Sequence, residues 1–224
     1  MNREFFSGKE TGLMNYAVFY PHDREEDIPL LIYLHGAGER GETYEHLYRH
    51  GIPKLIGEGR EYPAVVLCPQ CPADAVWDNV VKDLKQIIDT VVLKFGIAHD
   101  RICLTGSSMG GFGTWMTALT YPNLFAAVAP VAGGGMSWRA ANLRTTPIRA
   151  YHGVKDTAVP MIYSQLMVEA VNNKGGEAQL ILLEDFGHND AIDEVYRNTD
   201  VIPWLLSRRR EDNTPVAEAL SEWF

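Results

Sequence analysis

Arg101-Ile102-Cys103-Leu104-Thr105 runs straight into Gly106-Ser107-Ser108-Met109-Gly110-Gly111, and this stretch decides the fold. Its first half is a short apolar run of the kind that suits a buried parallel strand. Its second half is G-x-S-x-G, with Ser108 at the centre. The glycines have a mechanical role: a serine on a sharp strand-to-helix turn needs neighbours with almost no side chain. The residues that follow, from Gly111 to Leu119, fit a helix lying close on a sheet. Tyr121-Pro122 ends it, because a proline disfavours helical geometry in the residue before it.

Working outward, strands are expected at 28–34, 64–68, 101–105, 126–131, 147–151 and 179–184, with Tyr16-Ala17-Val18-Phe19-Tyr20 in an earlier edge strand. Helical patterns fall at 43–57, 78–95, 109–120 and 161–173. Val80, Val81, Leu84, Ile87, Ile88, Val91 and Val92 recur at helical spacing and mark a face turned to the core. Alternating strands and helices give an α/β chain, a mostly parallel sheet with helices on both faces. The chain is expected to form one domain over 1–207, followed by a polar tail over 208–224. Arg208-Arg209-Arg210 would cap the dipole of a C-terminal helix.

A serine hydroxyl needs a base, and the base needs an orienting acid. Downstream of Ser108 the histidines are His152 and His188. His188 follows the apolar run Leu180-Ile181-Leu182-Leu183 and is assigned as the base, in a loop. Asp156, beyond the strand that ends near Tyr151, is assigned as the acid, with Glu184 and Asp185 as rivals. His152 reads as a structural histidine. An oxyanion site is expected from Ala37, or Gly36 beside it, in His35-Gly36-Ala37-Gly38, paired with the N–H of Met109.

Together these parts resemble a known group. Leu34-His35-Gly36-Ala37-Gly38-Glu39-Arg40-Gly41, Cys68-Pro69-Gln70-Cys71-Pro72, Gly106-Ser107-Ser108-Met109-Gly110-Gly111 and His152-Gly153 with Asp156 and Val159-Pro160 carry the likeness. It is to small serine esterases of the α/β-hydrolase fold, the predicted-peptidase and phospholipase/carboxylesterase-like group, related to polyhydroxybutyrate depolymerases and feruloyl esterases. The resemblance spans about Tyr16 to Leu206. It implies Ser108, Asp156 and His188 as a catalytic triad. It leaves the natural ester open.

The remaining features bound the function. With 224 residues, 46% hydrophobic, the chain is long enough for one core, and a net charge of −9 argues against nucleic acid or anionic membrane as partner. No signal-peptide core opens the sequence, so the reading favours a cytoplasmic protein over one whose signal was removed. No metal or organic cofactor is implied. Cys68 and Cys71 form C-x-x-C, and His46 and His50 have metal-ligand spacing, but ordinary thiols and a solvated helix face explain them better. Residues 132–146 are too few for a helical cap, so an open site with a minimal lid is expected. Trp77, Met136 and Trp138 are candidates to line it. The expected reaction is hydrolysis of short-chain or small aromatic esters, with a small-molecule or polymer-linked ester as the partner. Plant-wall feruloyl or acetyl-xylan esters, peptides, and a non-catalytic binding role are the alternatives. The aromatic end of the tail, Trp223-Phe224, could dock on a neighbouring copy to make a homo-oligomer.

Overall fold

The computed structural model describes residues 1–23, 26–211 and 215–216. Among the described residues, eight strands form one sheet: β1 (Asn2–Phe6), β2 (Tyr16–Tyr20), β3 (Leu30–Leu34), β4 (Val65–Pro69), β5 (Ile102–Ser107), β6 (Ala127–Val131), β7 (Ile148–Gly153) and β8 (Ala178–Leu183). Their spatial order is β1-β2-β4-β3-β5-β6-β7-β8. The pairs β1/β2 and β2/β4 are antiparallel, and every pairing from β4 to β8 is parallel.

The helices are α1 (Gly8–Thr11), α2 (Gly51–Gly57), α3 (Val81–Phe95), α4 (Met109–Thr120), α5 (Ile162–Asn173), α6 (His188–Asn198) and α7 (Val201–Leu206). Alternation along the strands splits the core in two. Leu30, Ile32 and Leu34 of β3 face a cluster with Leu84, Ile88 and Val91 of α3, Trp115 and Leu119 of α4, and Met167 and Val171 of α5. Leu31 and Tyr33 face the other side, with Ile52 of α2, Ile192, Val195 and Tyr196 of α6, and Ile202 and Leu205 of α7. Near-continuous burial of β3, β4, β5 and β6 follows from this two-sided cover.

Three expectations need correcting. The single helix over 43–57 is two pieces, a 3₁₀ helix Tyr44–Arg49 and α2, separated by His50 in extended backbone and Gly51 at φ 62°. His46 and His50 therefore do not share one helical face. His188 does not sit in a loop; it is the first residue of α6. The arginine run does not cap a helix dipole. Arg209 pairs with Asp100 and Asp27, the Arg210 N–H bonds the Asp100 carbonyl, and the Arg208 guanidinium stacks 5.3 Å from the Trp204 ring centre. The folded body thus runs past 207 to at least Arg210. The aromatic end of the tail lies outside the described residues.

Between β6 and β7 the chain makes only a 3₁₀ helix, Ser137–Leu143. That is too little to roof the end of β5. Among the described residues, no helix is long and apolar enough to cross a membrane.

Candidate active site

Ser108 stands at the junction of β5 and α4 with φ 57° and ψ −120°, a conformation that costs energy for any residue but glycine. The turn is held by the Ser108 N–H on the Val131 carbonyl (2.9 Å) and the Phe112 N–H on the Ser108 carbonyl (3.1 Å). Its glycines are there for close approach. A Cβ on Gly110 would stand 1.9 Å from the Leu34 carbonyl oxygen, and one on Gly106 would stand 2.5 Å from that of Gly110. Any side chain at either position pushes α4 off β3 and moves the serine.

The ends of the adjacent strands β7 and β8, with β6 between them and β5, bring the other two groups to the serine. His188 Nε2 lies 2.8 Å from Ser108 Oγ, and His188 Nδ1 lies 2.6 Å from Asp156 Oδ2. Asp156 follows β7 and its side chain is buried. Its other oxygen, Oδ1, accepts the N–H groups of Ala158 (2.9 Å) and Val159 (2.8 Å). The carboxylate is therefore fixed by its own turn, with one oxygen left for the imidazole. Of the rival acids, Asp185 is exposed and pairs with Lys155 at 2.8 Å, and Glu184 is exposed as well. Gly153 keeps the two loops together: a Cβ there would stand 2.5 Å from the Phe186 carbonyl and 2.7 Å from that of Gly187.

His152 is fully buried beside this relay. Its Nδ1 meets Ser164 Oγ at 2.7 Å, its Nε2 meets the Val159 carbonyl at 2.9 Å, and Nε2 stands 3.5 Å from Asp156 Oδ2. Burial pushes its pKa down, against the pull of the Val159 carbonyl and of Asp156.

On the other side of the serine lies the loop after β3. A Cβ on Gly36 would stand 3.6 Å from Ser108 Cβ, so this loop backs directly onto Ser108. His35 is buried, and burial brings its pKa down to about 4. Its tautomer follows from its partners. Nε2 accepts the Cys71 N–H at 3.0 Å, so the proton is on Nδ1, which donates to the Gly36 carbonyl at 2.6 Å. The peptide unit is planar and trans, so its N–H, that of Ala37, points away from the His35 ring. Met109 opens α4, and its N–H has no partner within the helix. Glu39 Oε2 comes within 3.9 Å of His35 Nδ1, but this is a contact rather than an ion pair, because burial keeps the imidazole neutral. Burial also raises the Glu39 carboxyl, with His50, Arg49 and His46 pulling the other way.

Met136 and Trp138 are half-exposed on the loop and 3₁₀ helix after β6. Ile162, Tyr163 and Leu166 of α5 are also half-exposed, and the Tyr163 ring contacts that of Phe112, one turn beyond the serine, at 5.6 Å. Trp77 is different. It is 1% exposed, its indole N–H donates to the His35 carbonyl at 3.0 Å, and a Cβ on Gly113 would run into its side chain. Trp77 is a core residue beneath the site and does not line it.

A model of one family matches residues 65–202, from β4 through the elbow to α7. The chain belongs to the phospholipase/carboxylesterase family. Among curated proteins, it is 29% identical over 142 residues to poly(3-hydroxyalkanoate) depolymerase C of Paucimonas lemoignei, covering 57% of this chain and 33% of that one. It is 31% identical over 144 residues to the bifunctional acetylxylan esterase/xylanase XynS20E of Neocallimastix patriciarum, covering 62% of this chain and 21% of that one. Among solved structures, a thermostable esterase superposes with a TM-score of 0.79 at 27% identity, over 93% of this chain and 63% of that one. The match thus spans a third or less of the two curated relatives.

The sequence pointed to Arg40 and Gln70 only as parts of the family-like stretches and not at all to Arg49 or Ser164, yet all four hydrogen-bond around the site. Gln70 carried a signal: a polar residue between Pro69 and Cys71 at the end of a wholly apolar strand has to find partners inside.

Proposed function

We propose that this chain is a serine carboxylesterase that hydrolyses short-chain or small aromatic esters through an acyl-enzyme. The observation that carries the reading is the unbroken relay from Ser108 Oγ to His188 to Asp156 on a strained strand-to-helix turn. His188 Nε2 takes the serine proton as Oγ attacks the ester carbonyl. Asp156, already saturated on Oδ1, keeps the other imidazole nitrogen protonated and stabilises the imidazolium. The N–H groups of Met109 and Ala37, with Gly36 giving the close approach, receive the developing oxyanion. His188 then protonates the leaving alcohol and activates the water that releases the acid.

The exposed apolar side chains of Met136, Trp138, Ile162, Tyr163 and Leu166 favour a refinement. These five exposed groups lie on the loop and 3₁₀ helix after β6 and on α5, and the Tyr163 ring meets that of Phe112 in α4; taken together as one ledge they suit an ester borne on a polymer. The two curated relatives are named for polymer esters, which agrees with it.

The test is an ester panel on the purified protein: p-nitrophenyl acetate through long-chain esters, methyl ferulate and acetylated xylan, with Ser108→Ala as the blank. The expected result is turnover of at least one short or aromatic ester that vanishes in the variant. Silence on every ester would sink the reading.

A further inference from the structure

Five successive carbonyls, from His35 to Glu39, each accept a hydrogen bond from a different side chain. Trp77 Nε1 donates to the His35 carbonyl (3.0 Å), His35 Nδ1 to Gly36 (2.6 Å), Arg40 Nε to Ala37 (3.1 Å), Arg49 Nη1 to Gly38 (2.6 Å) and Gln70 Nε2 to Glu39 (3.0 Å). Gln70 Nε2 also reaches the Thr43 carbonyl at 2.8 Å, and Arg40 Nη1 reaches that of Ala75 at 3.3 Å. A surface loop ordinarily leaves such carbonyls to water. Here the donors come from the loop itself, from the 3₁₀ helix Tyr44–Arg49, and from the segment after β4.

The consequence is directional. In a trans peptide the carbonyl of one residue and the N–H of the next point in opposite directions. Tying the carbonyls of Gly36 and Ala37 to side chains therefore fixes where the N–H groups of Ala37 and Gly38 point. Gly36, in the same loop, stands against Ser108.

We propose that Arg40, Arg49 and Gln70 are positioning residues that hold the oxyanion loop in its working shape before substrate arrives. The proposal rests on the esterase reading above, because it concerns the N–H groups that would receive the oxyanion. None of the three needs to touch substrate. His35 Nδ1 holds the Gly36 carbonyl and with it the Ala37 N–H, Arg40 holds the next plane, which carries the Gly38 N–H, and Arg49 and Gln70 hold the two planes after that. The three therefore act on the Ala37 N–H by anchoring the loop that follows it, and donors that must reorganise during the reaction stabilise the transition state less than donors already in place.

Arg49 gives the cleanest test, because its hydrogen bond is on the surface and the carbonyl it frees can be taken up by water. Arg49→Met and Arg40→Met would be compared with wild type for kcat and KM on p-nitrophenyl acetate. Affinity for a trifluoromethyl ketone, which forms a tetrahedral adduct on the serine, would be measured alongside, with melting as the control for folding. The expected result for each variant is a fall in kcat of roughly 10-fold, part of the 10²–10³ seen when a whole oxyanion donor is removed. KM should hold, ketone affinity should weaken by the same factor, and Arg49→Lys, which restores one donor, should recover most of the loss. An unchanged kcat, or a loss confined to KM with ketone affinity intact, overturns the proposal.

The rate of labelling by a fluorophosphonate reads the same oxyanion site without depending on the ester. If wild type is labelled but turns over no ester, the esterase reading fails, and slower labelling of Arg49→Met still supports the positioning role. Equal labelling of wild type and both variants refutes it, and so does failure of wild type to label at all.

Discussion

His152 Nε2 stands 3.5 Å from Asp156 Oδ2, the oxygen that His188 Nδ1 engages at 2.6 Å. One buried carboxylate oxygen thus faces two imidazoles with different tasks. His188 is partly open to solvent and reaches the serine. His152 is sealed in, ties Ser164 to the Val159 carbonyl, and fixes the turn whose N–H groups hold Asp156 Oδ1. Replacing it leaves buried partners unsatisfied. His152→Leu is expected to lower stability by about 2–3 kcal/mol and to lower kcat more than KM, since the Asp156 turn loosens. Urea melts and steady-state kinetics on one ester check this. A variant as stable as wild type contradicts the role given to His152.

His35 should make the fold acid-sensitive. Its folded pKa of about 4 lies below the ordinary value of 6.5, because burial disfavours the charged ring. The neutral form is the one the fold binds, so its contribution is complete above pH 6.5 and is lost as pH falls towards 4. Over that window the loss is about 3 kcal/mol. His152 works in the same direction, its pKa also being lowered by burial. His35→Asn removes the titration, so the gap in stability between variant and wild type should narrow between pH 6.5 and 4. A gap constant across that range would mean that His35 is charged, or free to charge, in the folded protein.

Gly153 separates β7 from the turn before His188 by less than a methyl group. Gly153→Ala places a carbon 2.5 Å from one carbonyl oxygen and 2.7 Å from the next. The turn that leads into His188 at the start of α6 must shift away from Asp156. A fall in kcat of about 10²-fold is expected, as for a misplacement of about 1 Å, with a smaller change in KM. Retention of full activity would show that the two loops have slack the packing does not suggest.

Trp77 is expected to matter for folding and not for substrate choice. Trp77→Phe removes the indole N–H from the buried His35 carbonyl and should cost about 1–3 kcal/mol. The ratio of kcat/KM between short and long acyl chains should stay as in wild type, measured on the ester series. A changed chain-length preference would return Trp77 to the pocket wall.

The ledge gives the opposite pattern. Trp138→Ser combined with Leu166→Ser should leave turnover of p-nitrophenyl acetate within about 2-fold, yet lower kcat/KM on bulky or polymer-borne esters by 10-fold or more, since each large apolar contact contributes about 1.5–3 kcal/mol when fully buried. Equal effects on both substrate types would remove the ledge from the binding surface. Loss of a dimer on light scattering would reassign it to contact between copies.

The strand, elbow and α4 were legible because their signals are local: an apolar run, glycines at fixed spacing, then helical periodicity. The face of α3 was legible for the same reason, and its stripe of Leu84, Ile87, Ile88, Val91 and Val92 is buried. The pairing of His188 with Asp156 could be read from chain order, because successive strand ends in a parallel sheet lie side by side. Other features depend on contacts between distant segments. His188 opens a helix whose inner face is Ala191, Ile192, Val195 and Tyr196, a stripe hidden among polar neighbours. Gly51, at positive φ against the Tyr33 ring, breaks what looked like one helix. Trp77 beside a proline-rich segment reads as a candidate to line the pocket until its indole N–H finds the His35 carbonyl. The side-chain donors to the loop after β3 come from residues 35 to 77, and no local pattern joins them.

In the proposed reaction Ser108 carries the acyl group. Wild type, Ser108→Ala and His188→Ala would be mixed with p-nitrophenyl acetate, quenched in acid within the first turnovers, digested and analysed by mass spectrometry. An acetyl group is expected on the peptide containing Ser108 in wild type, none in Ser108→Ala, and far slower appearance in His188→Ala. Sustained turnover in Ser108→Ala, or an acetyl group found only on another residue, would contradict it.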